Sequence, residues 1–223
     1  MILSQSRHNR VLVVSGMKPH HLRPSALVLA ASLFLAPLAA HAAVPTAPSQ
    51  HVIALDNALI TVMKAGSAGQ DFQARYKLLA PVIEQAYDLP VVTKNSVGFL
   101  WSTLPVDQQQ QLIQLFTEFT ITSYVSQFDN YGGQTLTVLP VEKPLGDKKI
   151  VQTRLTSKNG GSVMIDYVVG QDQGDWKIDD VLLNGTISQV AVHASDFASM
   201  VKSGDATQLI SALKAKIKTL QGH

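Results

Sequence analysis

The 223-residue chain contains no cysteine, which excludes a disulfide scaffold, a thiolate metal site and a cysteine nucleophile. Charge is sparse at 15% of residues, with 18 Lys and Arg against 16 Asp and Glu. No concentrated basic stripe is present to follow a phosphate backbone, so nucleic-acid binding is not expected. The sequence has no H-E-x-x-H, no P-loop, no G-x-G-x-x-G and no G-x-S-x-G, the patterns that would announce a zinc protease, a nucleotide site or a serine hydrolase. Beyond residue 42 the histidines are His51, His193 and His223, without metal-ligand spacing. No metal, cofactor or catalytic residue is expected.

Long hydrophobic runs are equally scarce. The longest, Ala26 to Ala36, is broken by Pro37 and falls short of the roughly 20 residues of a membrane span. Lys18 and Arg23 precede it, and Ala40 and Ala42 stand at the −3 and −1 positions of a cleavage site. This is the pattern of a secretory signal peptide over residues 1–42, with Met17 as a second candidate start. Cleavage after Ala42 leaves 181 residues and 14 basic against 16 acidic side chains, because Arg7, Arg10, Lys18 and Arg23 are lost. The basic character of the whole chain therefore belongs largely to the leader. A cysteine-free exported chain fits a bacterial periplasm.

What the sequence has is apolar residues, 46% of the chain, arranged in two periods. Residues 43–50 have linker composition, and residues 51–223 read as one domain. Val52, Leu55, Leu59, Val62 and Met63 recur at helical steps, and Asp71 is placed to cap a second helix. Pro81 predicts a kink or a restart in that helix. Val91 to Thr103 is expected to be a short helix, and Pro105 to open a long one bearing Phe116, Phe119, Thr120, Tyr124 and Phe128 on a broad face.

After Tyr131-Gly132-Gly133 the period falls to two. Four strands are expected, around Leu136, Val151 to Leu155, Val163 to Val169, and Trp176 to Leu182, with hairpin turns at Lys158-Asn159-Gly160-Gly161 and Asp172-Gln173-Gly174-Asp175. Two helices follow, near 190–201 and 207–220. The fold class is therefore α+β: an antiparallel, curved sheet of four or slightly more strands, packed by N- and C-terminal helices, with an apolar cavity between the layers.

Three polar groupings invite a catalytic reading. His193, Ser195 and Asp196 fall at helical offsets that point apart, so a solvated helix face is expected rather than a triad. Asp179 and Asp180 alternate across a strand, one toward solvent and one toward a nearby loop. An enzyme acting on a hydrophobic substrate would need a buried carboxylate, for which Asp166 and Asp180 are the candidates.

The order of residues resembles a known family. Arg75-Tyr76-x-x-Leu79-x-Pro81-Val82-Ile83, Val97-Gly98-x-x-Trp101, Asp166-Tyr167 and Trp176-Lys177-Ile178-x-Asp180-Val181-x-x-x-Gly185 are similar to the toluene-tolerance, MlaC-like family of periplasmic lipid-binding proteins. A hopanoid-associated branch, HpnM, has similar sequences. The chain departs from the family pattern at Asn184 and at His193-Ala194-Ser195-Asp196-Phe197. The resemblance implies a phospholipid carrier working between an inner-membrane ABC-type lipid transporter complex and an outer-membrane complex, by transient docking and without membrane insertion. A hopanoid is the alternative ligand. Strand alternation and helix spacing nominate Trp101, Phe116, Phe119, Val151, Val163, Ile165, Tyr167 and Leu182 as the lipid-binding lining.

Overall fold

The computed structural model describes residues 47–222. The leader, its cleavage site and residues 43–46 of the linker lie outside them. Helix α1 (Gln50–Ser67) begins two residues before its apolar stripe, then α2 (Phe72–Ala86), α3 (Leu89–Val97), a 3₁₀ segment (Gly98–Thr103) and α4 (Val106–Gln127) complete the first half. Strands β1 (Thr135–Val138), β2 (Lys143–Leu145), β3 (Lys148–Thr156), β4 (Ser162–Asp172), β5 (Asp175–Leu183) and β6 (Ile187–Ser188) follow, then α5 (Gln189–Phe197) and α6 (Thr207–Gln221).

The expected α+β architecture is present, with more strands than four. The sheet is antiparallel, in the order β1-β3-β4-β5-β6, with β2 also on β3. β1 and β2 pair with opposite ends of β3. Together they form one edge interrupted near Pro140, and Pro144 lies within β2, the sheet position where a residue lacking an N–H costs least. The β4–β5 turn is Gln173-Gly174, with φ of 46° and 90°. Two successive positive φ values give the type I′ turn that matches strand twist.

Helix ends follow their local chemistry. Asp71 accepts from Ala74 N at 2.7 Å. Gly98, at φ 75°, ends α3, so the expected single helix over 91–103 is divided. Helix α2 does not restart at Pro81 but runs through it. The hydrogen bond that proline cannot make would go to the carbonyl of Lys77; both residues are exposed, so water can serve that carbonyl.

Helix α1 packs on α2 and reaches β1 and β5, while α4 packs on α2, α3 and α6, and α5 bridges α3 and β5. One continuous core joins Val52, Leu55 and Leu59 of α1 with Leu112, Ile121 and Val125 of α4 and with Val151, Tyr167 and Ile178 of the sheet. Arg75 is 7% exposed within this layer and donates to the carbonyl of Val125 at 2.7 Å. That carbonyl lies in the last turn of α4, where no backbone partner remains and a cation complements the helix dipole. Replacing Arg75 by Met should lower stability by about 1.5–3 kcal/mol, read as a fall in urea midpoint at unchanged slope.

Candidate functional site

The apolar faces of the two layers do not meet everywhere. Between the sheet and α3, α4 and α5 lies a cavity of about 220 Å³. Helix α4 and the Phe128 that caps it supply a ladder at four-residue steps, Phe116, Thr120, Tyr124 and Phe128, together with Phe119. The sheet supplies Ile165, Tyr167, Val181 and Leu183, and α3 supplies Val92. Lining residues Gln127 and Leu183 are exposed whereas Tyr87 and Tyr167 are buried, so the former pair marks the open end and the tyrosines the inner end.

Of the residues nominated from sequence, this cavity brings together Phe116, Phe119, Ile165 and Tyr167. Val151 is instead sealed in the core, and Trp101 packs against the core from the 3₁₀ segment, its carbonyl accepting from Gln109 Nε2 at 3.0 Å. Val163 shares a face with Ile165 but sits where the helical cover ends, 42% exposed. Leu182 pairs with Asp166 and Val181 with Tyr167, so Leu182 faces away from the cavity. The cause is an irregularity: Val168 pairs with Asp180 but Val169 with Ile178. The extra residue, Asp179, reverses the alternation of β5, moving Val181 and Leu183 to the inner face.

That irregularity also changes the two adjacent carboxylates. Asp179 does not face solvent; it is buried and pairs with Lys148 at 2.7 Å. Asp180 does bond the neighbouring segment, accepting from Ser188 Oγ at 2.5 Å and Val190 N at 3.1 Å. It thereby fixes the start of α5, whose own cap is Ser188 accepting from Ala191 N at 2.9 Å. Asp166 accepts twice from Gln152 Nε2, at 3.0 and 2.9 Å. Each carboxylate thus already holds a structural partner.

His193 corrects the expectation of a solvated helix face. Its ring is half-buried in the cavity wall, edge-on to Phe116 at 5.3 Å and Phe119 at 5.8 Å and stacked on Phe197 at 5.5 Å. Burial lowers its pKa, against the opposing pull of Asp196 and Asp180, so the ring is neutral at pH 7. Ser195 and Asp196 are exposed and form no relay with it.

Behind the cavity stands Asp56 of α1, a buried residue absent from the sequence reading. Its carboxyl accepts from Thr153 Oγ1 at 2.9 Å and Tyr167 OH at 3.4 Å. Desolvation pushes its pKa up to about 6 despite those two hydrogen bonds, which lower it. Tyr87 and Tyr124 lie nearby with hydroxyl oxygens 2.5 Å apart, and burial raises both pKa values, Tyr124 to about 12. The signal for Tyr124 was the four-residue ladder from Phe116; Asp56 interrupts an apolar stripe and gives no such signal.

Fold and site define an α+β protein built around an apolar pocket between an open, curved sheet and its helices. Residues 54–215 match the family described as MlaC protein, and the chain belongs to that family. It is 25% identical over 115 residues to the toluene tolerance protein ttg2D of Pseudomonas putida, covering 51% of this chain and 52% of that protein. The chain thus spans about half the length of that relative. The structure is similar to a phospholipid-binding protein from Ralstonia solanacearum, solved in complex with a phospholipid. The TM-score is 0.67 at 24% identity, over 78% of this chain and 99% of that one.

The raised pKa of Asp56 sets a pH dependence. Between about pH 4 and 6 the folded state holds a proton that the unfolded state has released, so this group's contribution to stability falls as pH rises through that window and is flat above it. Urea midpoints of the wild type and Asp56→Asn should show the wild type losing stability relative to the variant from pH 4 to 6.5, with no further change to pH 8.

Proposed function

We propose that this protein is a periplasmic lipid carrier that holds the hydrocarbon of a phospholipid in the cavity between sheet and helices. It exchanges that lipid by transient docking with an inner-membrane ABC-type transporter complex and an outer-membrane complex. The observation that carries the reading is the apolar cavity itself, in a chain of the MlaC family whose fold is shared with a phospholipid-binding protein. Among the described residues no helix is long and apolar enough to cross a membrane, which suits docking rather than insertion. In this reading the protein acts by binding, and Asp166 and Asp180 serve as structural partners of Gln152 and of the start of α5.

The cavity volume of about 220 Å³ lies below the roughly 300–1,000 Å³ of common small-molecule pockets. A two-tailed lipid therefore has to widen it on entry. The same volume favours a second cargo, a compact polycyclic lipid such as a hopanoid, which needs less displacement of the helices.

Native mass spectrometry of the chain recovered from the periplasmic fraction tests both cargo and export. The expected species begins at Ala43 and carries one lipid, identified by solvent extraction. A lipid-free protein that also takes up nothing from labelled vesicles would overturn the carrier reading. Phe119 is half-buried in the wall, so Phe119→Glu should fold yet retain less than a tenth of the lipid, because a carboxylate set against hydrocarbon is strongly disfavoured.

A further inference from the structure

The inner end of the cavity carries hydroxyls that a hydrocarbon container does not need. Tyr87 and Tyr167 are 5% and 1% exposed, and both line the cavity with Tyr124. Tyr87 is fixed by its backbone, which bridges to Ile178 of β5, with Asp88 N donating to the Ile178 carbonyl at 3.0 Å. Tyr124 comes from α4, and its ring stacks on Phe128 at 5.7 Å. The hydroxyl oxygens of Tyr87 and Tyr124 are 2.5 Å apart, so one O–H donates to the other oxygen.

Two phenols carry two donor protons, and one hydrogen bond between them uses one. Tyr167 spends its own proton on Asp56 at 3.4 Å. The second proton of the Tyr87–Tyr124 pair is left for whatever fills the cavity. Phenylalanine would serve pure hydrocarbon better at both positions, because an unspent buried donor opposes folding and binding alike.

We propose that the Tyr87–Tyr124 pair is a docking point for a neutral oxygen acceptor on the buried part of the cargo. The acceptor is an ester carbonyl of a diacyl lipid or the hydroxyl of a polycyclic alcohol. The site rests on the carrier reading and specifies the chemistry that its cargo must bring. The phenols stay protonated because burial raises their pKa values, so the pair acts as a donor across the physiological range. Exposed Gln127, at the open end, leaves a charged headgroup in water.

The test compares two matched pairs of probes on the purified full chain: dipalmitoyl phosphatidylglycerol against its dialkyl ether, and a pentacyclic triterpene alcohol against its deoxy hydrocarbon. One neutral hydrogen bond predicts that the oxygen-bearing member of one pair binds roughly three- to tenfold tighter. The pair that shows the preference identifies the source of the oxygen. The double variant Tyr87→Phe, Tyr124→Phe removes both partners at nearly constant shape and should erase the preference, while Tyr76→Phe, at a tyrosine of α2 outside the cavity lining, should keep it.

Equal affinities within both pairs, or a preference that survives in the double variant, would overturn the docking point and leave the carrier reading standing. A wild-type protein that binds none of the four probes would refute the carrier reading, and the docking point with it. The wild-type comparison decides the matter alone should the double variant fail to fold.

Discussion

Everything around the cavity is registered on one buried carboxyl group. Asp56 projects from α1 and is met by hydroxyls from the two central strands, Thr153 of β3 and Tyr167 of β4. Removing a carboxylate from water is so costly that such groups adjust their protonation before they disrupt a fold. Here burial outweighs hydrogen bonding and raises the pKa to about 6. The hydrogen bonds still fix the position of α1 over the sheet, a role that apolar contacts fill less specifically because they have no direction. Once α1 is placed, Tyr167 is placed, and with it the inner wall of the cavity.

A permanent cavity is unusual because close packing is the default for protein interiors. It persists only if the surrounding elements are held by contacts that do not require it to be filled. The walls meet that condition in different degrees. Helix α4 buries Leu112, Phe116, Ile121, Thr122 and Val125 and packs against three other helices. The sheet wall is held by long antiparallel ladders on both sides of β4. Helix α5 buries only Phe197; it is held by Asp180 at its start and by aromatic contacts of His193 and Phe197 along its length.

The architecture could be read in the sequence because it depends on periodicity. The change from helical to alternating spacing after Gly133, the turns at 158–161 and 172–175, and the ladder from Phe116 to Phe128 all follow from local pattern. The cavity was legible where that pattern is unbroken, at Phe116, Phe119, Ile165 and Tyr167. It was not legible where one residue shifts the register. Asp179 is such a residue, and strict alternation therefore places Leu182 inside when Val181 occupies that face. Val163 exposes a second limit, since alternation gives a side chain's face but not how far along the strand the cover extends. Asp56, Arg75 and His193 are invisible for a common reason: polar residues on helices are ordinarily solvated, and only the opposing element decides otherwise.

The energetics of cargo explain why an unequally anchored wall is useful. Each CH₂ of a lipid tail costs about 0.8 kcal/mol in water, so two tails of roughly 30 such groups represent on the order of 24 kcal/mol. Compared with the marginal stability of a folded domain, about 5–15 kcal/mol, that is a prohibitive cost of exposure, so the proposed carrier has to enclose the tails almost completely. A container that fitted two tails when empty would carry a large apolar void, and voids destabilise in proportion to their size. A cavity of about 220 Å³ beside a nine-residue helix with one buried side chain avoids that penalty while unloaded. In the proposed carrier, filling of the widened space by lipid would offset the cost of moving so lightly anchored a wall.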